Sequence, residues 1–296
     1  MSIRTLSIFT AVLFLLPVQS TNGQESLRWK FRSQENIKYN VVQNMKTSMK
    51  IGDNNVNQTM NQSMDMSWQI LSVAASGDTV MNQVVDRIRM KSEGGPAGLL
   101  EFDTADAKKP ENPIIASMGE TFQKIVNKPF TVTMKPDGQI DNVTVPPELI
   151  DAIRQSSAGN AAALNEDSLK QMMKQSAVTL PDGPVVPNNT WTSQQSIELP
   201  FGTMQINSTM TYAGKDAMGN ALINVVPKIS VTPKEGAPVK MTLTNSDGRG
   251  QVTFNIIQGR VSKSRLDLTM AMKIETANGQ TFDQTIQQAT EMTLVQ

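Results

Sequence analysis

The sequence predicts a mainly β (α+β) chain. Long antiparallel meanders, in two duplicated halves, form one or more curved sheets packed on a central helical insert. Three observations predict this class. Apolar and polar residues alternate over unusual lengths, Gly, Asn and Asp turns punctuate the alternation, and similar stretches recur in the same order in both halves.

The first element shows the pattern well. From Ile37 the odd positions read Ile37, Tyr39, Val41, Gln43, Met45, Thr47, Met49 and Ile51, between Lys, Asn, Gln and Ser. Period two over that length is the mark of a half-buried strand. After Asp53-Asn54-Asn55 the even positions Val56, Met60, Met64, Met66, Trp68 and Ile70 repeat it. Ser76-Gly77-Asp78 then turns the chain into a third strand, about Thr79 to Met90, with Val80, Val84, Ile88 and Met90 expected in phase.

The middle changes period. Ile114, Met118, Phe122, Ile125 and Val126 have helical spacing, Phe130 to Met134 reads as a strand, and Pro136-Asp137-Gly138 as its turn. Pro146-Pro147-Glu148 suits a helix start, and helices are expected over 148–155 and 167–177, the latter capped by Asn165 or Asp167. Strands return over 191–199, 203–212, 221–231, 239–244, 251–257, 261–276 and 281–295.

Three stretches of the first half recur in the second. SWQILSVAASGDTVMNQVVDRIRM (67–90) resembles MTYAGKDAMGNALINVVPKISV (210–231), GPAGLLEFDTAD resembles GAPVKMTLTNSDG, and FTVTMKPDGQIDNV resembles VTFNIIQGRVSKSR. An internal duplication of roughly 27–145 and 185–296 is expected. The organisation is then a signal peptide over 1–23, a first β-rich repeat over 24–145 with a helix near 114–126, a helical insert over 146–184, and a second β-rich repeat over 185–296.

The opening residues MSIRTLSIFTAVLFLLPVQSTNGQ have the form of a secretory leader: Arg4, an apolar run from Leu6 to Leu16, then Pro17 and small residues. The run is shorter than the ~20 residues of a membrane span. An exported, periplasmic or extracellular, chain with no membrane span is expected. Losing the leader leaves 26 basic against 27 acidic residues, a net charge of −1, which points to no nucleic-acid partner. The chain has no Cys and no His, which removes disulfides, histidine-based triads and ordinary zinc sites.

MNQSMDMSW (60–68) asks whether thioethers gather for copper(I) or merely line a strand. Soft sulfur selects copper(I), with Met60, Met64 and Met66 as ligands and Trp68 as a cation–π cap. Strand spacing sets successive same-face residues about 6.8 Å apart, and methionines are spread through both halves, 19 in all. Periodicity favours the strand interior, with Met as an adaptable apolar filler.

Other motifs are thin. DGQIDNVTVPPE (137–148) places acids at calcium-loop positions, but Asn142 stands where that loop needs Gly, so a hairpin turn is expected. Sequons at Asn57, Asn61, Asn142, Asn188 and Asn207 follow from polar strand faces. G-x-S-x-G, S-x-x-K, phosphate-loop and G-x-G-x-x-G motifs are missing, and a non-enzymatic protein without cofactors is expected.

The leader, FTVTMKPDGQIDNV, PVVPNNTWTSQQSIELPFGTMQINSTMTY and QGRVSKSRLDLTMAMKIE together resemble an exported bacterial family, the domain of unknown function 6263 family, over nearly the whole mature chain. The resemblance implies no activity. Physical reasoning supplies the expectation: an apolar face must be covered. Met64, Met66, Trp68, Met270 and Met272 are the candidate lining of a groove for a hydrophobic small molecule or an apolar segment of an envelope protein. A ligand-free structural role in the envelope and copper(I) binding are the alternatives.

Overall fold

The computed structural model describes residues 24–52, 54–95, 98–106, 112–148, 150–151, 170, 178–199, 201–237 and 239–295. The strands are β1 Asn36–Ile51, β2 Asn54–Val73, β3 Thr79–Gly94, β4 Leu100–Asp103, β5 Phe130–Met134 and β6 Ile140–Thr144, then β7 Thr190–Leu199, β8 Gly202–Lys215, β9 Ala221–Pro233, β10 Val239–Asn255, β11 Arg260–Thr276 and β12 Thr281–Val295. A helix, α1 Pro113–Ile125, lies between β4 and β5. All strands join one antiparallel sheet of order β6-β5-β3-β2-β1-β12-β11-β10-β9-β8-β7, with β4 also on β3. The first and last strands meet at its centre, from Lys38 opposite Val295 to Lys50 opposite Asp283. Both halves of the chain therefore share a single sheet.

The alternation read from β1 and β2 holds: Tyr39 lies opposite Met66, Val41 opposite Met64 and Met45 opposite Met60, all on one face. The phase expected for β3 needs correction. Met81 pairs with Ile70 and Ile88 with Met64, but Val84 pairs with Ser67 and so faces the other way. A bulge at Asp86, between the pairs Asp65–Arg87 and Met66–Val85, shifts the register. The separate strands expected over 239–244 and 251–257 are likewise one continuous β10, bulged near Thr244.

The sheet is strongly curved. Trp29 and Lys30 are neighbours, yet Trp29 N–H donates to Pro136 O at 2.8 Å in the β5–β6 turn, and Lys30 N–H to Gly259 O at 2.9 Å in the β10–β11 turn. Five strand spacings separate β5 from β11, about 24 Å in a flat sheet at ~4.8 Å each. Segment 24–31 thus lies inside the curl and ties its two sides together. Segment 178–185 joins it through the Glu25–Val185 bridge, Leu180 N–H to Asp137 O at 2.7 Å, and Trp191 Nε1–H to Thr179 O at 2.9 Å.

Around these segments Leu27, Trp29, Tyr39, Met81, Val132, Tyr212, Ile223 and Phe254 form one buried cluster drawn from both halves. Two glycines permit this closure. A Cβ at Gly138 would stand 2.3 Å from Val178 O, one at Gly259 would stand 2.4 Å from Lys30 Cγ, and both residues have positive φ.

α1 occupies the place expected for a helix near 114–126. Asn112 starts it, its Oδ1 accepting the Ile115 N–H at 3.4 Å, and Pro113 fills the first turn. Asn127, at φ 61°, ends it and donates to Val85 O at 2.9 Å. Ile115 packs with Met90, Leu100 and Phe102. The expected central helical insert fares differently. Most of 148–155 and 167–177 lies outside the described residues; of the first stretch Glu148, Ile150 and Asp151 are helical and Ile150 is buried in the large core, which the extended chain of 24–31 and 178–185 also covers.

Candidate functional site

One face of the sheet gathers the methionines. In-register pairing carries it across the molecule, from Met64 through Val41 and Met292 to Ser264 in one row, and from Val56 through Met49 and Gln284 to Met272 in another. Met204 and Met210 on β8, Met241 on β10 and Met270 on β11 share this face. Burial along it is uneven. Near the curl's packed end its residues are inaccessible, as Tyr39 and Met81 are, while Met45, Met49, Met60, Met64, Met66 and Met270 are half-buried. Part of the face is covered by α1, whose cluster includes Met60.

The five residues expected to line a groove all lie on this face, at two levels. Met64, Met66 and Trp68 follow one another on β2 near the packed end. The row of Met270 runs through Ile286 and Thr47 to Gln58, six residues along β2 from Met64, or about 20 Å at ~3.4 Å per residue. Met270 and Met272 therefore do not converge with Met64 and Met66. The copper candidates Met60, Met64 and Met66 are strung out along one strand, and the thioether directly across from Met60 is Met45.

At the packed end the face ends in aromatic rings. Trp68 lies 4.9 Å from Tyr39, 5.8 Å from Trp29 and 6.5 Å from Phe31, centroid to centroid. Trp29 stacks on Phe31 and meets Phe254 edge-on. Tyr39 Oη donates to Val261 O at 3.1 Å. Burial pushes this phenol above the ordinary tyrosine range, with Arg260 opposing and Glu35 adding to the shift. Trp68 Nε1 is buried and has no hydrogen-bond partner among the described residues. Trp29 and Phe31 are not among the residues that the sequence pattern marks for the site; RWKFR (28–32), two rings among three cations, is the signal that could have found them.

The opposite face is polar and ion-paired. Arg89 holds Asp65 with two 2.8 Å bonds, and Asn40 Nδ2 donates to the same carboxylate at 2.8 Å. Arg265 bridges Asp267, and Lys263 reaches Glu291 at 3.1 Å. Guanidinium hydrogen bonds hold Asp103 (from Arg87) and Asp267 (from Arg265) below the usual carboxylate range. A cavity of about 550 Å³ on this side is lined mainly by polar residues, among them Asn44, Lys46, Asn61, Asp247, Arg249 and Asp267, with Met45 and Leu268 also in its wall. Asp137 and Asp141 serve a hairpin: Asp137 Oδ1 accepts the Gln139 N–H at 2.8 Å, and Asp141 pairs with Lys135 at 3.0 Å. The sequon asparagines Asn57, Asn61, Asn142, Asn188 and Asn207 are exposed. No described helix is long and apolar enough to cross a membrane.

Residues 76–259 match a family described as DUF6263, a family of unknown function. No curated protein matches the chain. Among solved structures, one on lipid–protein interactions in lipovitellin is similar with TM-score 0.51 and 11% identity, over 90% of this chain and 26% of that chain. This chain spans about a quarter of that relative. An outer-membrane channel from Pseudomonas putida F1 matches over 90% of this chain and 97% of its own, at 7% identity and TM-score 0.26.

Proposed function

The chain belongs to the DUF6263 family, and from its geometry we propose that it is an exported, non-enzymatic protein that binds a hydrophobic ligand along its methionine face. An acyl chain, or an apolar segment of another protein, is the class of ligand. The observation that carries this reading is the half-buried run of Met45, Met49, Met64, Met66 and Met270 on one side of a sheet whose other side is charged. Unbranched, polarisable thioethers adapt to ligands of variable shape, where Ile or Val would fix one. Lipovitellin lends support at the level of fold, through a similar sheet in a protein whose structure concerns lipid–protein interactions.

The test uses mature protein from its own host. Native mass spectrometry is expected to show lipid-sized adducts, and N-phenyl-1-naphthylamine is expected to fluoresce on binding. Met66→Glu and Met270→Glu each place a carboxylate on the face and should weaken dye binding at least about tenfold, the equivalent of ~1.4 kcal/mol. A bare polypeptide mass together with a dark dye titration would overturn the proposal in favour of a ligand-free envelope role.

A further inference from the structure

The packed end of the sheet carries a second feature that the hydrophobic-ligand reading does not use. The turn at Arg32–Glu35 and the β10–β11 turn enclose a pocket of about 260 Å³, lined by Lys30, Phe31, Arg32, Glu35, Ile257, Gln258 and Arg260. Three cations meet one carboxylate there. Glu35 is already engaged: one oxygen pairs with Arg260 at 2.8 Å and the other accepts the Arg32 backbone N–H at 3.2 Å. Lys30 Nζ donates to Ile256 O at 3.0 Å and stays exposed. The Arg32 guanidinium has no partner among the described residues. The pocket therefore holds two uncompensated positive charges in a chain whose overall charge is close to zero.

Its rim is apolar. Ile257, at the tip of the β10–β11 turn, is 88% exposed, and Leu71 is 48% exposed. Ser33 Oγ donates to Leu71 O at 3.2 Å, so Leu71 stands beside the same turn. The backbone does not require this composition. An equivalent turn at Val186–Asn189 makes the same bonds, Asn189 N–H to Val186 O at 3.0 Å and Val186 N–H to Asn189 Oδ1 at 2.9 Å. It does so with Val186, Pro187, Asn188 and Asn189, none of them charged.

We infer that this pocket docks the protein on an anionic phospholipid surface. A phosphodiester would accept from the free Arg32 fork and from Lys30, and Ile257 and Leu71 would enter the glycerol and upper acyl region. Charge complementarity selects an anionic headgroup, and the bare Ile257 selects a lipid over a dissolved phosphate. Apart from Phe31, which also meets Trp29 and Trp68, the inference stands on residues separate from the methionine face.

Full-length mature protein is sedimented with phosphatidylcholine vesicles, with and without phosphatidylglycerol, at low and high salt. Binding is expected to phosphatidylglycerol vesicles only, and to weaken as salt screens it. Arg32→Glu should lower the partition at least about tenfold, near fivefold for each charge unit changed. Ile257→Ser, an exposed change that the fold tolerates, should lower it several-fold. Arg249→Glu, the same charge change on the polar face, should leave it unaltered. Circular dichroism checks that each variant is folded, and dye binding to the methionine face should persist in all three. Equal binding to both vesicle types, or wild-type binding by Arg32→Glu and Ile257→Ser, would overturn the inference. So would failure to sediment while glycerol phosphate alone saturates the Arg32 side-chain resonances, which would make this a site for free phosphate.

Discussion

The first and second halves of the sheet repeat one pairing scheme and then diverge. In the β2–β3 hairpin Ile70 faces Met81, then the register shifts so that Ser72 faces Val80 and Val73 faces Thr79. In β8–β9, Tyr212 faces Ile223, then Gly214 faces Leu222 and Lys215 faces Ala221. Five pairs join β3 to β5, from Thr79–Met134 to Gln83–Phe130, and five join β9 to β10, from Ala221–Phe254 to Val225–Gly250. Both β5–β6 and β10–β11 shift register at the corresponding place, Thr133/Met134 and Thr253/Phe254. Beyond these pairs the halves part company. The second continues as the single strand β10, while the first has β4, α1 and β5 in its place. The bulges and turns that bend the chain at the packed end are held in common, and the free ends of the strands are where the halves differ.

If the common end is one core, the halves should melt together. Trp29→Ala removes the ring that stacks on Phe31, meets Phe254 and donates from Nε1 to Val178 O at 3.1 Å. It should cost about 3–5 kcal/mol and leave a single urea transition read by far-UV dichroism and by tryptophan emission. Two transitions, one of them insensitive to the substitution, would show that the halves are stable separately.

Gly138→Ala and Gly259→Ala test the two contacts by which segment 24–31 spans the curl. At Gly138 the new methyl would meet the Val178 carbonyl oxygen and the Trp29 indole; at Gly259 it would meet mainly the flexible Lys30 side chain, with its backbone N 2.7 Å away. Both also impose strain at positive φ, so each should destabilise by roughly 1–3 kcal/mol. Gly138→Ala should be the larger in a urea midpoint series, because two bulky, fixed groups oppose it. The reverse order would place the tighter closure on the side of the second half.

Much of this was legible in the sequence, for a definable reason. Side-chain alternation is local, so β1, β2, the shared face of Met60, Met64, Met66 and Trp68, and the helix near 114–126 could be read from neighbouring residues. The bulge at Asp86 reverses the phase of β3 without any Gly or Pro to announce it, which is why Val80 and Val84 were expected on the wrong face. The pairing of β1 with β12 joins residues some 240 positions apart, and no local pattern encodes it. The same holds for the lining residues. Their face follows from period two, but the distance between Met64 and Met270 depends on which rows of four strands coincide. Arg32 and Arg260, meanwhile, come together only when segment 24–31 threads the curl.

The smallest effect compares two β-turns with one backbone. Ala74 N–H donates to Asp78 O and Gly77 N–H to Ala74 O, both at 2.9 Å; Asp216 N–H donates to Asn220 O at 2.9 Å and Gly219 N–H to Asp216 O at 3.0 Å. Only the second turn opens with an acceptor side chain. Asp216 Oδ1 takes the N–H groups of Met218 and Asn220, and Oδ2 takes Asn220 Nδ2, each at 2.9 Å. The Asn220 side-chain bond, followed by its backbone N–H, holds the Asp216 carboxyl below the ordinary carboxylate range. A group depressed on folding adds stability above its unfolded value, about pH 3.9, and that contribution is lost as pH falls through the folded value. Asp216→Ala gives the second turn the residue that the first already has. Its stability should fall slightly at neutral pH and change less than that of wild type on acidification below about pH 4, measured as urea midpoints across the acid range. Parallel acid limbs for the two proteins would mean that this carboxylate's bonds form equally in the unfolded chain, and the two turns would then differ in sequence without differing in stability.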